Sequence, residues 1–213
     1  YDKIEAFIEI IMGQNTDNMM IVHGVKNLTN ISLNAALRSV TDLNGGGILI
    51  IPQNIGGQLD TPNRAISFWP YSKIRDKRLF IGNKYITFTH DKNANEPFRF
   101  GVNNKWGFAL YSNEDMVFLK RYIHNQDAKY LNFGSSLESF SNDEFLSIET
   151  VSPVFKIDKN EVARHVENWT VFNVSKNIFD REKLLLNQGK KELNKPFLNT
   201  SNEAHRYEAK IDE

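Results

Sequence analysis

Apolar and polar residues alternate along most of the chain in short runs, separated by residues that favour turns. From Phe145 to Val151 the period of two places Leu146 and Ile148 on one face and Phe145, Ser147 and Glu149 on the other. A break follows at Ser152 and Pro153, then the short run Val154 to Ile157, the polar turn Asp158 to Glu161, and a second strand from Ala163 to Phe172. The same alternation predicts strands over Met19 to Lys26, Tyr85 to His90, Phe98 to Val102, Trp106 to Tyr111 and Met116 to Arg121, with His90 expected at the surface. In the last of these, Phe118 and Lys120 share one face while Val117, Leu119 and Arg121 share the other, so a basic side chain on each face calls for a partner or a function. Ile4 to Met12 fits a strand or a short helix, and Gln14 to Asn18 reads as a polar turn. Ile31 to Leu43 suits a strand better than an amphipathic helix, because Leu33, Ala35 and Leu37 alternate with polar residues.

Turn chemistry supplies the connections. Gly45, Gly46 and Gly47 precede the apolar run Ile48 to Ile51, which Pro52 ends. A phosphate loop would need a Lys-Ser/Thr pair and a helix at fixed spacing, and neither follows, so a tight hairpin turn is expected. Asn103 to Lys105 and Ser112 to Asp115 are turn sequences of the kind that join neighbouring antiparallel strands, and Ile55 to Arg64 reads as a polar loop. After Asn173 the pattern changes. Leu184, Leu185, Leu186 and Leu193 are spaced for a helix within Lys176 to Lys195, and Thr200 to Glu213 reads as a polar tail. The expectation is an all-β sandwich or barrel over residues 1–174, followed over 175–213 by a C-terminal helix packed on the sheet's outside and a loose end.

Composition narrows the chemistry. With 213 residues and 40% hydrophobic content, the chain suffices for one substantial core, including that of a large all-β domain. Lys plus Arg and Asp plus Glu balance at 26 each, which gives no reason to expect nucleic acid as a partner. No apolar run approaches the roughly 20 residues a helical bilayer span requires, so no membrane partner is expected. Cysteine is absent, which excludes a disulfide framework and thiolate metal sites and leaves the compartment open. His23, His90, His124, His165 and His205 are scattered without ligand spacing, so neither a metal nor a cofactor is expected. No G-x-S-x-G elbow suggests a serine hydrolase. Sequons at Asn27, Asn30, Asn168, Asn173 and Asn199 carry little weight in so Asn-rich a chain.

Two features remain as candidate chemistry. Glu149 sits mid-strand, where either its face is solvated, the commoner fate of a lone strand carboxylate, or that face is the concave side of a large sheet. In the second case desolvation favours a general base. Trp69, Pro70 and Tyr71 form an aromatic cluster beside Lys73, Arg75, Lys77 and Arg78. It reads equally as a packed corner with a solvated basic loop or as ring faces that stack on the C–H surface of a sugar.

The segment FLSIETVSPVFKIDKNEVARHVENWTVF resembles the C-terminal end of galactose-mutarotase-like proteins, in which a strand ending in a Glu-Thr pair leads to a proline-bearing stretch, a turn, and a strand with an aromatic near its end. The pieces LRSVTDLNGGGILIIPQN, ISFWPYSKIRDKRLFIGNKYITF and MVFLKRY are similar to the DUF4380 group of that superfamily, and the resemblance spans approximately Met19 to Phe172. It implies a large antiparallel β-sandwich, the galactose-mutarotase-like supersandwich, with a sugar on its concave face. The superfamily domain usually has further strands before the matched part, so the resemblance implies a form shortened at its N-terminus, with a sheet edge left open or covered by a partner.

In aldose 1-epimerases the Glu of the Glu-Thr pair takes the anomeric proton while a His protonates the ring oxygen. Carried over, Glu149 takes the base position, with Arg38, Trp69, Tyr71, Trp106 and Lys120 as expected substrate-binding residues. The strand comparable to the one bearing the acid His reads NAALRSVTDL and holds Arg38 instead. Arg keeps its proton at neutral pH but can bind an oxygen or a carboxylate. His23, on a neighbouring strand, is the one substitute. The resemblance therefore implies a small carbohydrate or sugar derivative as partner, with carbohydrate binding favoured over an aldose 1-epimerase-like reaction.

Overall fold

A computed structural model of the protein describes residues 3–13, 18–174, 181–195 and 204–210. Two antiparallel sheets pack face to face, as expected of a mutarotase-like β-sandwich. The larger sheet holds nine strands in the order β16 (Ala204–Lys210), β1 (Ile4–Gly13), β2 (Asn18–Asn27), β15 (Val162–Asn173), β11 (Met116–Tyr122), β10 (Phe108–Asn113), β5 (Ile48–Pro52), β8 (Tyr85–Thr89) and β7 (Leu79–Ile81). The smaller sheet holds five, in the order β4 (Arg38–Asn44), β13 (Phe145–Val151), β12 (Leu137–Ser141), β9 (Phe98–Val102) and β6 (Ile66–Phe68). A two-stranded ribbon pairs β3 (Leu33–Ala35) with β14 (Phe155–Ile157).

Alternation decides which side chains meet between the sheets. Phe98 and Phe100 of β9, Leu137 of β12, and Leu146 and Ile148 of β13 pack against Leu49, Ile51, Phe88, Ala109 and Tyr111 of the larger sheet. The opposite face of the larger sheet is buried too: Ile50, Phe108, Leu110, Val117 and Leu119 pack under Leu185 and Leu186 of the helix α1 (Arg181–Leu193). This two-sided burial explains why Ile48 to Ile51 is a continuous apolar run and not an alternating one. No helix among the described residues is long and apolar enough to cross a membrane.

The two faces read from Met116 to Arg121 hold, with Lys120 inside the sandwich and Leu119 under α1. Ile4 to Met12 forms a strand. Several connections differ from expectation. Ile31 to Leu43 is split into β3 and β4, because the buried Leu37 between them is stapled to Ser152: its N–H donates to Ser152 Oγ at 2.8 Å, and its carbonyl accepts the Ser152 N–H at 2.9 Å. The turn at Gly45 and Gly46 and the one at Asn103 to Lys105 do not close hairpins. Each carries the chain from one sheet to the other, since β4 pairs with β13 while β5 pairs with β10 and β8, and β9 pairs with β12 and β6.

His90 is buried, not at the surface. Its Nδ1 accepts the Gly46 N–H at 2.9 Å, and the ring fits only because Gly45 has no Cβ, which would lie 2.5 Å from His90 Cε1. Trp106 lies in the turn before β10 and not in a strand. Within the expected polar tail, Ala204 to Lys210 forms β16, which pairs antiparallel with β1 and is the outermost strand at that end of the nine-stranded sheet. Gln14 to Asp17 of the expected first turn, and Lys176 to Asp180 of the expected helix, lie outside the described residues.

Candidate functional site

The face of the five-stranded sheet turned away from the core carries a cluster of four charges. Register puts Glu138 of β12 directly opposite Glu149 of β13, and Gly101 of β9 opposite Glu138. Because Leu146 and Ile148 point into the core, Glu149 points out, as the alternation required. Two carboxylates side by side on one face repel each other unless a cation joins them. Arg99 of β9 does so: its Nη2 donates to Glu138 Oε2 at 3.0 Å and also to Glu149 Oε2. Arg38, at the start of β4, adds a looser pairing, with Nη1 3.5 Å from Glu149 Oε2 and 4.0 Å from Glu138 Oε2.

The remaining carboxylate oxygens are also engaged. Ser147 Oγ donates to Glu149 Oε1 at 3.0 Å, and Asn132 Nδ2 donates to Glu138 Oε1 at 2.6 Å. Asn132 reaches in from a one-turn 3-10 segment, Asn132–Gly134, where it adopts a positive φ of 49°. Glu149 is 3% exposed, which replaces the solvated alternative with a buried, fully hydrogen-bonded carboxylate, whereas the Arg38 side chain is 50% exposed and forms the wet border of the cluster. The Arg99 guanidinium also stacks over the Trp69 ring at 4.8 Å, which brings one of the expected aromatics to this face. Tyr71 is exposed in the turn that follows Trp69. The basic residues nearby are held by acids: Lys73 by Glu96 and Lys77 by Asp91, each at 2.7 Å, and Arg78 by Asp76 at 2.8 Å.

Two other expected site residues lie elsewhere. Trp106 sits by α1, where its Nε1 donates to Gln53 O at 3.0 Å and Lys190 Nζ stands 4.5 Å from its ring. Lys120 is fully buried between the sheets, on the side of β13 opposite to Glu149. There it heads a second polar cluster. Its Nζ lies 3.0 Å from Glu167 Oε1 and donates to Thr41 Oγ1 at 2.8 Å and to Ile148 O at 3.2 Å. Glu167 also accepts from the Thr150 hydroxyl and, at 2.9 Å, from Trp169 Nε1. His165 Nε2 shares the Thr150 hydroxyl at 2.7 Å, and His23 Nε2 stands 3.6 Å from Glu167 Oε2.

The electrostatics of this inner cluster follow from burial set against charge. Burial alone raises the Glu167 pKa, but His23, Lys120, Thr150 and His165 together outweigh it and bring it down to about 2. Burial lowers the Lys120 pKa, and the Glu167 carboxylate opposes that shift. His165 is pushed down to about 4, chiefly by burial, so it is neutral near pH 7. Lys120 fills the space a cation would take beside Glu167, and among the described residues no group of three or more His, Asp or Glu is placed to hold a metal ion.

Arg99, Glu138 and Asn132 on the outer face, and Thr150, His165 and Glu167 within, were not picked out from the sequence. A signal existed for some of them: His165, Glu167 and Trp169 fall on one strand face at a period of two, which is unusual for a face turned into a core. A hollow of about 860 Å³ lies at the open end of the sandwich, lined by residues including Leu43, Tyr111, Met116 and Phe118, and the Glu149 cluster does not border it.

No protein-family model, that of the DUF4380 group included, and no curated protein matches the chain. Among solved structures it is similar to a candidate aldose 1-epimerase from Klebsiella pneumoniae subsp. pneumoniae MGH 78578, with a TM-score of 0.54 and 10% identity over 88% of this chain and 50% of that one. It also matches a candidate aldose 1-epimerase from Escherichia coli K12, with a TM-score of 0.48 and 10% identity over 79% of this chain and 66% of that one. A galactose mutarotase-like protein from Lactobacillus casei ATCC 334 gives a TM-score of 0.46 and 10% identity over 78% and 70%. The fold is the galactose-mutarotase-like sandwich, and the chain spans half the length of the Klebsiella protein.

Proposed function

We infer that the chain binds a small carbohydrate on the outer face of the five-stranded sheet, at Arg38 and Trp69, with Arg99, Glu138 and Glu149 as the network that holds them in place. The observation that supports this most is the fixed row of donors and acceptors beside an indole ring, with Arg99 bridging two carboxylates and stacking on Trp69. A sugar presents paired hydroxyls along its rim and C–H groups on its faces. Planar, immobilised guanidinium and carboxylate groups next to a flat aromatic ring complement both. The half-exposed Arg38 is the group from which a ligand enters this network. The shared fold is consistent with a sugar-related role, and at 10% identity it is fold alone that is shared.

Binding is favoured over epimerisation because none of the histidines among the described residues stands on this face. Among the described residues, His23 and His165 stand at Glu167, His90 bonds the Gly46 amide, and His124 stacks on Tyr130. Moving a proton onto a ring oxygen takes an acid within hydrogen-bond reach, and a guanidinium does not give up its proton. One observation favours the second reading, an aldose 1-epimerase-like enzyme with Glu149 as base: Glu149 is a buried carboxylate followed directly by Thr150, the pair on which the sequence resemblance rests.

Calorimetry and thermal-shift measurements with a panel of mono- and oligosaccharides test the binding reading. Stabilisation by at least one sugar is expected, with affinity reduced about tenfold or more, the loss of roughly 1.4 kcal/mol or more, in Arg38→Ala and in Trp69→Ala. Silence across the panel sinks it. Polarimetry on the same aldoses separates the readings: anomerisation faster than buffer and lost in Glu149→Gln would establish the enzyme instead.

A further inference from the structure

We propose that Lys120 and Glu167 are positioning residues for Glu149, forming a clamp beneath the five-stranded sheet that grips β13 on both sides of the outward carboxylate. The placement stands on geometry; its importance for a ligand rests on the sugar-face reading above.

An ion pair with both members fully buried is a poor means of stabilising a core, because desolvating two charges offsets most of their attraction and an apolar pair of similar volume does as well or better. What this pair adds is directed hydrogen bonds, and these fall on the neighbours of Glu149. Lys120 Nζ donates to the carbonyl of Ile148 at 3.2 Å, one residue before it. Glu167 Oε1 accepts the hydroxyl of Thr150, one residue after it, and Lys120 Nζ lies 3.0 Å from that same oxygen. With the Thr150 proton given to Glu167, the neutral His165 completes the arrangement by donating its Nε2–H to the Thr150 oxygen at 2.7 Å.

Successive residues of a strand point to opposite faces, so tying Ile148 and Thr150 from below fixes the direction in which the Glu149 Cα–Cβ bond leaves the sheet. The clamp also reaches β4. Lys120 Nζ donates to Thr41 Oγ1 at 2.8 Å, and it meets the Ser39 carbonyl and hydroxyl at 3.4 Å, immediately beside Arg38. One buried ammonium therefore holds together the two strands that carry Arg38 and Glu149, whose side chains meet 3.5 Å apart on the other side of the sheet. A Lys on the inner face of β11 and a Glu on that of β15 are explained by this role without contact between either and a ligand.

The test is Lys120→Met combined with Glu167→Gln, which removes both charges at nearly constant volume and leaves an amide to meet Thr150. In carboxyl- and guanidine-labelled protein, the Glu149 carboxyl and Arg99 guanidinium resonances should shift or broaden in the folded double variant, while the Asp91 carboxyl, elsewhere on the molecule, stays in place. If a sugar binds, affinity should fall about tenfold in the double variant, with no further fall when Glu149→Gln is added. Unchanged Glu149 and Arg99 resonances in a folded double variant overturn the proposal, as does a loss of affinity that persists in the Glu149→Gln background. Should the double variant not fold, Thr150→Val, which deletes one of the two ties, is read by the same resonances, and an unmoved Glu149 signal there overturns it equally. If no sugar binds, the resonances still decide the positioning role, and the sugar-face reading fails separately.

Discussion

His165 links the inner cluster to the pH dependence of folding. Its folded pKa, about 4, lies below the ordinary value of 6.5, so between those values the unfolded chain binds more protons and stability rises with pH. Glu167 extends the same slope downward, from 4.5 to about 2. Urea unfolding should therefore show stability falling steadily as pH drops from about 6.5 toward 4 and beyond. His165→Gln should flatten the upper part of that fall, with a change of about 2 to 3 kcal/mol removed between pH 7 and pH 4. An unchanged slope would mean that His165 is not held neutral. At this scale the sequence was informative about direction and silent about company. Alternation placed Glu149 opposite Leu146 and Ile148, but its neighbours Arg99 and Glu138 come from other strands, and only sheet register makes them adjacent.

Among the elements, the short turns deviate most from local expectation. The glycines at Gly45 to Gly47 favour a tight reversal, and the reversal occurs, yet the strands on either side enter different sheets. The cause is packing: the Tyr111 hydroxyl bonds the Asn44 carbonyl and accepts the Gly47 N–H at 3.0 Å, pinning the turn over the end of the sandwich. A Cβ at Gly47 would lie 2.4 Å from Tyr111 Cζ and 2.7 Å from the Ser112 carbonyl. Gly47→Ala should accordingly destabilise the protein by about 2 kcal/mol, read as a lower urea midpoint with unchanged slope. Most strands and the helix were legible where alternation or leucine spacing was clear, because these are local properties, whereas Ile4 to Met12 stayed open between strand and helix and β16 falls in a stretch that reads as a polar tail. Which strand pairs with which was not, since glycine-rich turns permit a hairpin and a sheet crossing alike.

For the whole molecule, the unequal sheets leave edges to be managed. The strand β16 supplies the backbone partners of Phe7 to Gly13, which would otherwise be an open ladder at the end of the nine-stranded sheet. A chain ended after residue 203 should self-associate through the uncovered β1, detected as a concentration-dependent increase in mass by light scattering, whereas the full chain should not show this increase. A shortened chain that stays monomeric at all concentrations would show that β1 needs no such cover. The sequence by itself determined the all-β class, the strands of clear alternation, the helix, and the face on which Glu149 stands, because these follow from periodicity within a few residues. Tertiary structure alone decided that Glu149 is buried in a bridged pair with Glu138, that Lys120 lies beneath it and not beside it, and that a polar C-terminal stretch pairs with β1. Those outcomes depend on register between distant strands and on which of two sheets each strand joins, and neither is written in any local run of residues.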